Sequence, residues 1–300
     1  MRYYQFRKGN TSRVGVETGD DTLVDLTSVS GHVASVLDLL RVAAVAGTDI
    51  DRVAMSLVDR GPGATLSTDD LMSSSETGGA LTLLPPVTAP EVWAAGVTYQ
   101  DSMRERQAES GTPDIYAKIY VADRPEVFFK ATAERVVAPF GDVGIRADST
   151  WDVPEPELAF VLFDGKIVGY TCGNDMSSRS IEGANPLYLP QAKLYDRSCA
   201  IGPCFVTPDV IGDPQKLGVK LTIERAGKTA FQGASNTSKM KRTCAEIADW
   251  LQRHNPVPDG TTVLTGTSTI PPPTFTLKAG DVVRVELEKI GMLVNTVIVV

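Results

Sequence analysis

The sequence is poor in histidine. His32 and His254 are the two in 300 residues, which narrows any chemistry that runs on imidazole. Cysteine is sparse as well. Cys172, Cys199, Cys204 and Cys244 include no C-x2-C pair, so a thiolate zinc site has no spacing to rest on. A cysteine nucleophile wants an imidazole beside it. Cys244 and His254 share one predicted helix, at a spacing that does not suggest a pair. The four cysteines read as buried free thiols in a reducing compartment.

Long hydrophobic runs are also missing. No stretch approaches the roughly 18 apolar residues of a membrane span, and Met1-Arg2-Tyr3-Tyr4-Gln5 lacks the apolar core of a signal peptide. A cytoplasmic protein with no membrane partner is expected. Basic excess is absent too: the net charge is -8 and the pI about 4.9. No nucleic-acid partner is expected from that balance. A small anionic substrate stays open, because a metal ion or a few local cations bind one against the global field. No G-x-G-x-x-G follows a strand and opens a helix. Gly61-Pro62-Gly63-Ala64 is a turn whose proline suits phosphate cradling poorly.

What is present is an ordinary globular composition, 42% apolar, on a chain long enough to bury about three quarters of its extended surface. The pattern predicts an α+β protein, mostly β. Arg2 to Arg7, Arg13 to Thr18 and Leu23 to Leu26 have strand character, and Val33 to Val45 and Asp51 to Asp59 have helical spacing, with Asp49 or Asp51 as a cap. The small polar Met72-to-Gly79 stretch and Pro85, Pro86 and Pro90 suggest a linker. It divides a small N-terminal α+β domain, residues 1–80, from a larger domain, 88–300.

Strands crowd the larger domain: Val92 to Gly96, Val127 to Lys130, Glu157 to Phe163, Lys166 to Thr171, Val219 to Arg225, Val263 to Gly266, Val282 to Leu287 and Leu293 to Val299. Asp164-Gly165 and Ala226-Gly227 are hairpin turns, and Thr243 to His254 is a helix. Many short strands with few helices favour a closed or rolled mixed β-structure.

The chemistry concentrates at Val153-Pro154-Glu155-Pro156-Glu157-Leu158. Residues i and i+2 of a strand share a face, so Glu155 and Glu157 stand side by side at the start of a buried strand. Such a pair repels unless a cation lies between the two or both stay in water. Asp175, in Gly173-Asn174-Asp175-Met176-Ser177 at the end of the return strand, is the third carboxylate. Oxygen donors of this kind suit Mg²⁺, Mn²⁺ or Ca²⁺. The alternative is a pair of solvated glutamates. Parity separates the two: a two-residue Asp164-Gly165 loop puts Asn174 on the glutamate face. The metal reading needs a three-residue loop or a bulge near Gly173.

At these residues the chain resembles the fumarylacetoacetate hydrolase superfamily, over roughly residues 90 to 299. The matching elements are Glu155-Pro156-Glu157, Asn174-Asp175-Met176-Ser177-Ser178-Arg179, Gln191-Ala192-Lys193, Gly202-Pro203, Thr265-Gly266-Thr267, Gly280-Asp281 and Ile290-Gly291-Met292-Leu293-Val294-Asn295. The resemblance implies that superfamily's β-roll and a metal on Glu155, Glu157 and Asp175. It departs at the lid, where the hydrolases carry a water-activating histidine and this chain carries Ser102. Serine by itself is no general base near neutral pH. The segments around Glu126, Glu155 and Lys193 are similar to the branch that dehydrates 2-keto-3-deoxy sugar acids.

That branch implies Mg²⁺, with Mn²⁺ or Ca²⁺ also acceptable, and a small 2-oxo acid substrate. Glu126 or Lys193 is expected to take the C3 proton, giving an enolate stabilised by the metal, while the other, or an activated water, helps the C4 hydroxyl leave. A lysine base needs a depressed pKa, which burial beside a cation supplies. Ser102 and Arg104 are expected to anchor substrate, and Lys130, Arg179 and Thr267 either to anchor it or to support the metal ligands, with Arg104 to Gly111 as a lid. The rival activity is hydrolysis of acylpyruvate-type diketo acids, or 2-oxo acid decarboxylation, on the same scaffold. A homodimer or homotetramer is expected.

Overall fold

The computed structural model describes residues 1–19, 21–61, 63–109 and 113–300. Pro62 of the Gly61 turn, and Ser110 and Gly111 at the end of the expected lid, lie outside the described residues. Among those described, the strands gather into a 12-stranded sheet, a five-stranded sheet and a short two-stranded ladder. The long path of the large sheet runs Thr65–Leu66, Thr22–Asp25, Thr11–Gly19, Arg2–Lys8, Cys199–Val206, Lys166–Asp175, Pro156–Phe163, Thr262–Leu264, Glu91–Gly96 and Glu126–Thr132. The smaller sheet runs Lys228–Asn236, Gly218–Arg225, Val282–Leu287, Gly291–Val299 and Asp142–Ile145. The architecture is sheet-rich α+β, and the sheets form no closed barrel.

Strand Pro156–Phe163 is buried along its whole length and organises the molecule. Leu158, Phe160 and Leu162 point one way, into a core shared with Leu221, Ile223, Val283 and Val285 of the smaller sheet. Val161 and Phe163 point the other way and pack under Leu37, Leu40, Ile50 and Val53 of the N-terminal helices. Each large side chain buried this way contributes roughly 1.5–3 kcal/mol. Glu157 shares the face of Val161 and Phe163, by the two-residue period of a strand. One face is thus apolar and helix-covered at one end and acidic at the other.

The N-terminal helices start and stop where local chemistry directs. Ser35 caps Val36–Ala46 by accepting from the Asp38 amide, and Gly47 closes it in the left-handed conformation at φ 63°. Asp49 caps Ile50–Asp59 through the Arg52 amide.

One expectation fails here, and one strand went unforeseen. Met72 to Thr77 belongs to a helix, Thr68–Thr77, capped by Ser67 and closed by Gly78. Its serines and threonines are tolerated because Ser75 and Thr77 hydroxyls return to the carbonyls of Leu71 and Ser73, at 2.7 and 2.8 Å. The apolar segment from Cys199 is a full strand, Cys199–Val206, despite Pro203 inside it. That strand pairs with Arg2–Lys8 on one side and Lys166–Asp175 on the other, so the sheet runs unbroken from the N-terminal region into the rest.

All four cysteines are buried and free. Burial pushes the thiols of Cys199, Cys204 and Cys244 up to about 12. No helix of the described residues is long and apolar enough to cross a membrane.

Candidate metal and active site

The hairpin that carries the carboxylates solves the parity problem in its own way. Its loop has two residues: Phe163 pairs with Lys166, and Asp164 and Gly165 take φ of 48° and 68°. The register then shifts between Leu162, opposite Ile167, and Val161, opposite Gly169. The extra residue is Val168, near the turn, rather than one near Gly173. A three-residue loop is not formed. The bulge brings Glu157 opposite Gly173, and Glu155 exchanges both backbone hydrogen bonds with Asp175, at 3.2 and 3.0 Å. Glu155, Glu157 and Asp175 thereby share one face, with one oxygen of each within 4.8 Å of the others.

All three carboxylates are buried, and their partners differ sharply. Glu155 faces three cations: Arg106 at 2.7 Å, Arg179 at 3.0 Å and Lys193 at 2.8 Å. Burial works against its charge, but Lys193, Arg106 and Arg179 together hold it well below the usual carboxylate range. Asp175 is paired with Lys130 at 2.5 Å and Lys193 at 3.2 Å. Glu157 accepts the Gly266 amide at 2.6 Å, and among the described residues no lysine or arginine forms an ion pair with it. Burial first, then Asp175 and Glu155, push its pKa well above the usual range. A buried carboxylate short of positive charge, beside two others, is what a divalent cation relieves. The donors fit: all are hard oxygens.

Gly266 is a glycine of necessity. Its φ is 93°, and a Cβ there would meet Thr98 Oγ1 at 2.0 Å. That conformation aims its amide at Glu157. Gly96 has a second steric role. It sits opposite Glu126 in the ladder, and a Cβ at 96 would strike the Glu126 carboxylate at 2.1 Å.

The cavity over the carboxylates holds about 20 Å³, room for roughly one water. Ser102, Arg106, Tyr116, Glu126, Glu155, Glu157, Asp175, Glu182, Lys193 and Thr267 all line it. Neither histidine does. Burial, then Glu182, raises the Glu126 carboxyl to about 6 against the opposing pull of Arg106 and Lys193. Lys193 spends its three N–H groups on Glu155, Asp175 and the Ser177 hydroxyl, the last at 2.6 Å. Burial lowers its pKa, but Asp175 and Glu155 outweigh that and raise it. Without a cation beside it, then, the Lys193 pKa is raised rather than depressed. Lys193 is a buried ammonium.

Arg104, Lys130 and Arg179 do not line the cavity, and the last two support the carboxylates instead. Arg104 is exposed. Lys130, fully buried, bonds the Met176 carbonyl at 2.9 Å and the Lys193 carbonyl behind Asp175. Arg179 is buried behind Glu155. Sequence reasoning missed Arg106 and Glu182. Arg106 lies on helix Gln100–Glu109 four residues after Ser102, hence on its face, whereas Arg104 turns away. Arg106 bridges Glu155 and Glu182. Glu182 lies one helical turn past Arg179.

Comparison with known proteins bears directly on this geometry. Residues 91–298 match the family model described as fumarylacetoacetate (FAA) hydrolase C-terminal. This chain belongs to that family. It is 49% identical, over 99% of both chains, to a probable 2-keto-3-deoxyxylonate dehydratase of Haloferax volcanii. It is 45% identical to 2-dehydro-3-deoxy-D-arabinonate dehydratase of Saccharolobus solfataricus, over 71% of this chain and 73% of that one. A solved structure of 2-keto-3-deoxy-D-arabinonate dehydratase complexed with magnesium and 2,5-dioxopentanoate superposes with a TM-score of 0.82. It is 33% identical and covers 100% of this chain and 99% of that one.

Proposed function

We propose that this protein is a divalent-metal-dependent dehydratase of 2-keto-3-deoxy sugar acids, acting on a pentonate. The observation that carries the reading is the pairing of Glu126 and Lys193 around a buried carboxylate triad, in a cavity that no histidine lines. The histidine with which hydrolases of the superfamily activate water has no counterpart in that lining, whereas a proton acceptor and a proton donor are both present. The relatives named as dehydratases support the same assignment.

Glu155, Glu157 and Asp175 would hold the metal. When bound, it supplies Lewis acidity that favours negative charge on the 2-oxo oxygen and so acidifies the C3 proton. Glu126, with a pKa near neutrality, takes that proton. Lys193, held as an ammonium, gives a proton to the C4 hydroxyl as it leaves as water. The elimination places a double bond between C3 and C4. Moving a proton from C5 to C3 then gives an enol across C4 and C5, and transfer of its hydroxyl proton to C4 gives the C5 aldehyde, 2,5-dioxopentanoate, the compound bound in the solved relative. Thr267 and Ser102 line the cavity and are assigned to hold the substrate.

We assign Mg²⁺ as the ion, in keeping with the oxygen-only donors and the magnesium of that relative. The reading also expects a cytoplasmic homodimer or homotetramer, whose contacts would protect the exposed edge strand Lys228–Asn236. Residues 1–80 are proposed as a covering domain and 88–300 as the catalytic one.

The test is turnover of a 2-keto-3-deoxy-pentonate with Mg²⁺, before and after EDTA, followed by NMR. The expected result is a metal-dependent aldehyde signal. No reaction by metal-loaded protein would sink the assignment and turn attention to acylpyruvates and oxaloacetate.

A further inference from the structure

Glu155 carries more positive charge than one carboxylate needs. Arg106 and Arg179 both reach Oε1, and Lys193 reaches Oε2. A divalent cation held by the same carboxylate would meet all three. Two of them are fixed. Arg179 is 1% exposed, and its backbone amide is bonded to the Trp151 carbonyl at 2.8 Å. Lys193 is tied to Asp175 and Ser177 as well as Glu155. Arg106 differs. It arrives from helix Gln100–Glu109, and its other nitrogen already pairs with Glu182. Glu182 is outside the carboxylate triad. Arg106 can surrender Glu155 and still keep a buried ionic partner outside the triad.

We propose that Arg106 is the internal counter-ion of the metal-free site, competing with the divalent cation for Glu155. Metal entry displaces its guanidinium from Glu155 onto Glu182. Helix Gln100–Glu109 is then tethered over the cavity when the metal is absent and loosened when it is present. Thermodynamic linkage makes the effect reciprocal: whatever holds Arg106 on Glu155 weakens metal binding by the same factor. The device explains why a cavity of about 20 Å³ covers a site meant for a larger molecule: the arginine closes it until the metal is in place. This inference rests on the carboxylate triad as a metal site and not on the dehydration reaction.

The test measures Mn²⁺ binding by calorimetry on the full chain, stripped of metal and without substrate, so its outcome is separate from that of the turnover assay. Removing a like charge next to a dication is expected to tighten Mn²⁺ binding about tenfold in Arg106→Gln. If Arg106 merely holds Glu155 in place for the metal, the same variant binds Mn²⁺ equally or more weakly, and the proposal is overturned. Should Arg106→Gln fail to fold, Arg106→Lys carries the test: losing the two-pronged fork is expected to tighten binding roughly two- to threefold. Hydrogen exchange gives an independent reading. Amides of residues 100–109 are expected to exchange faster when Mn²⁺ is added to the wild type, and slower or unchanged exchange overturns the coupling. No Mn²⁺ uptake by wild type or variant would sink the metal site itself.

Discussion

One face of the central hairpin is held by opposite physics at its two ends. At the far end Val161 and Phe163 lie under N-terminal helices, where contact is apolar and non-directional. At the near end Glu155, Glu157 and Asp175 crowd together, and each lives or fails by its partners. The distance is a few residues of one strand. The apolar end stabilises the fold whatever occupies the site. On the proposed reading the acidic end gives up stability for function, since like charges buried together cost free energy that a bound cation would relieve. Even within the acidic end the contrast recurs: Glu155 has three cations around it, and Glu157, two residues on, has an amide.

The largest expected effect breaks the acidic end. Glu157→Gln should weaken Mg²⁺ or Mn²⁺ binding by about a thousandfold and abolish activity, read by calorimetry and turnover. Without metal the same variant should melt higher than the wild type. The sign follows from the raised pKa of Glu157: the folded state binds the proton more tightly than the unfolded one. Its charge therefore costs stability as pH rises from the usual carboxylate range towards the raised value. Glu155→Gln should do the reverse, leaving Arg106, Arg179 and Lys193 short of an anion and costing about 3–5 kcal/mol in metal-free denaturant unfolding. Equal melting shifts for the two variants would erase the contrast.

Breaking the apolar end should touch stability alone. Phe163→Ala is expected to cost about 3 kcal/mol in denaturant unfolding and to leave metal affinity unchanged. A loss of metal binding there would show that the two ends are coupled through the strand.

Smaller effects sharpen the acidic end. The rising limb of kcat/KM against pH should fall at or below pH 6, because Glu126 sits at about 6 without metal and a nearby cation lowers it. Glu126→Gln should remove that limb and lower kcat about a hundredfold. Gly96→Ala, which pushes on the Glu126 carboxylate, should lower kcat about tenfold while sparing metal affinity. An unchanged pH profile in Glu126→Gln would remove Glu126 from the proton transfer.

Much of the fold was legible because strands and turns announce themselves locally. The Asp164-Gly165 and Ala226-Gly227 turns form as two-residue loops with left-handed residues, and the helix predicted from Thr243 is capped by Thr243 itself. The misses are physical. A strand with a proline inside it, Cys199–Val206, violates local expectation and is held by neighbours on both sides. The serine-rich Thr68–Thr77 helix forms because Leu71 is buried and its hydroxyls find carbonyls. At the site the three acidic residues could be named from their spacing, but their common face depended on a bulge at Val168 that the sequence does not mark.

The sequence by itself determined the inventory: three oxygen donors, a glutamate, a lysine and no histidine to activate water. Residue identity and the two-residue period of a strand are local properties, and they survive without a fold. Only the tertiary structure decided the electrostatics. It set Arg106 rather than Arg104 over the site, paired Lys130 with Asp175 and Arg179 with Glu155, and held Lys193, one of two expected bases, as a buried ammonium while no metal is bound. The reason is that charge interactions are set by distance and burial, and both come from residues far apart along the chain.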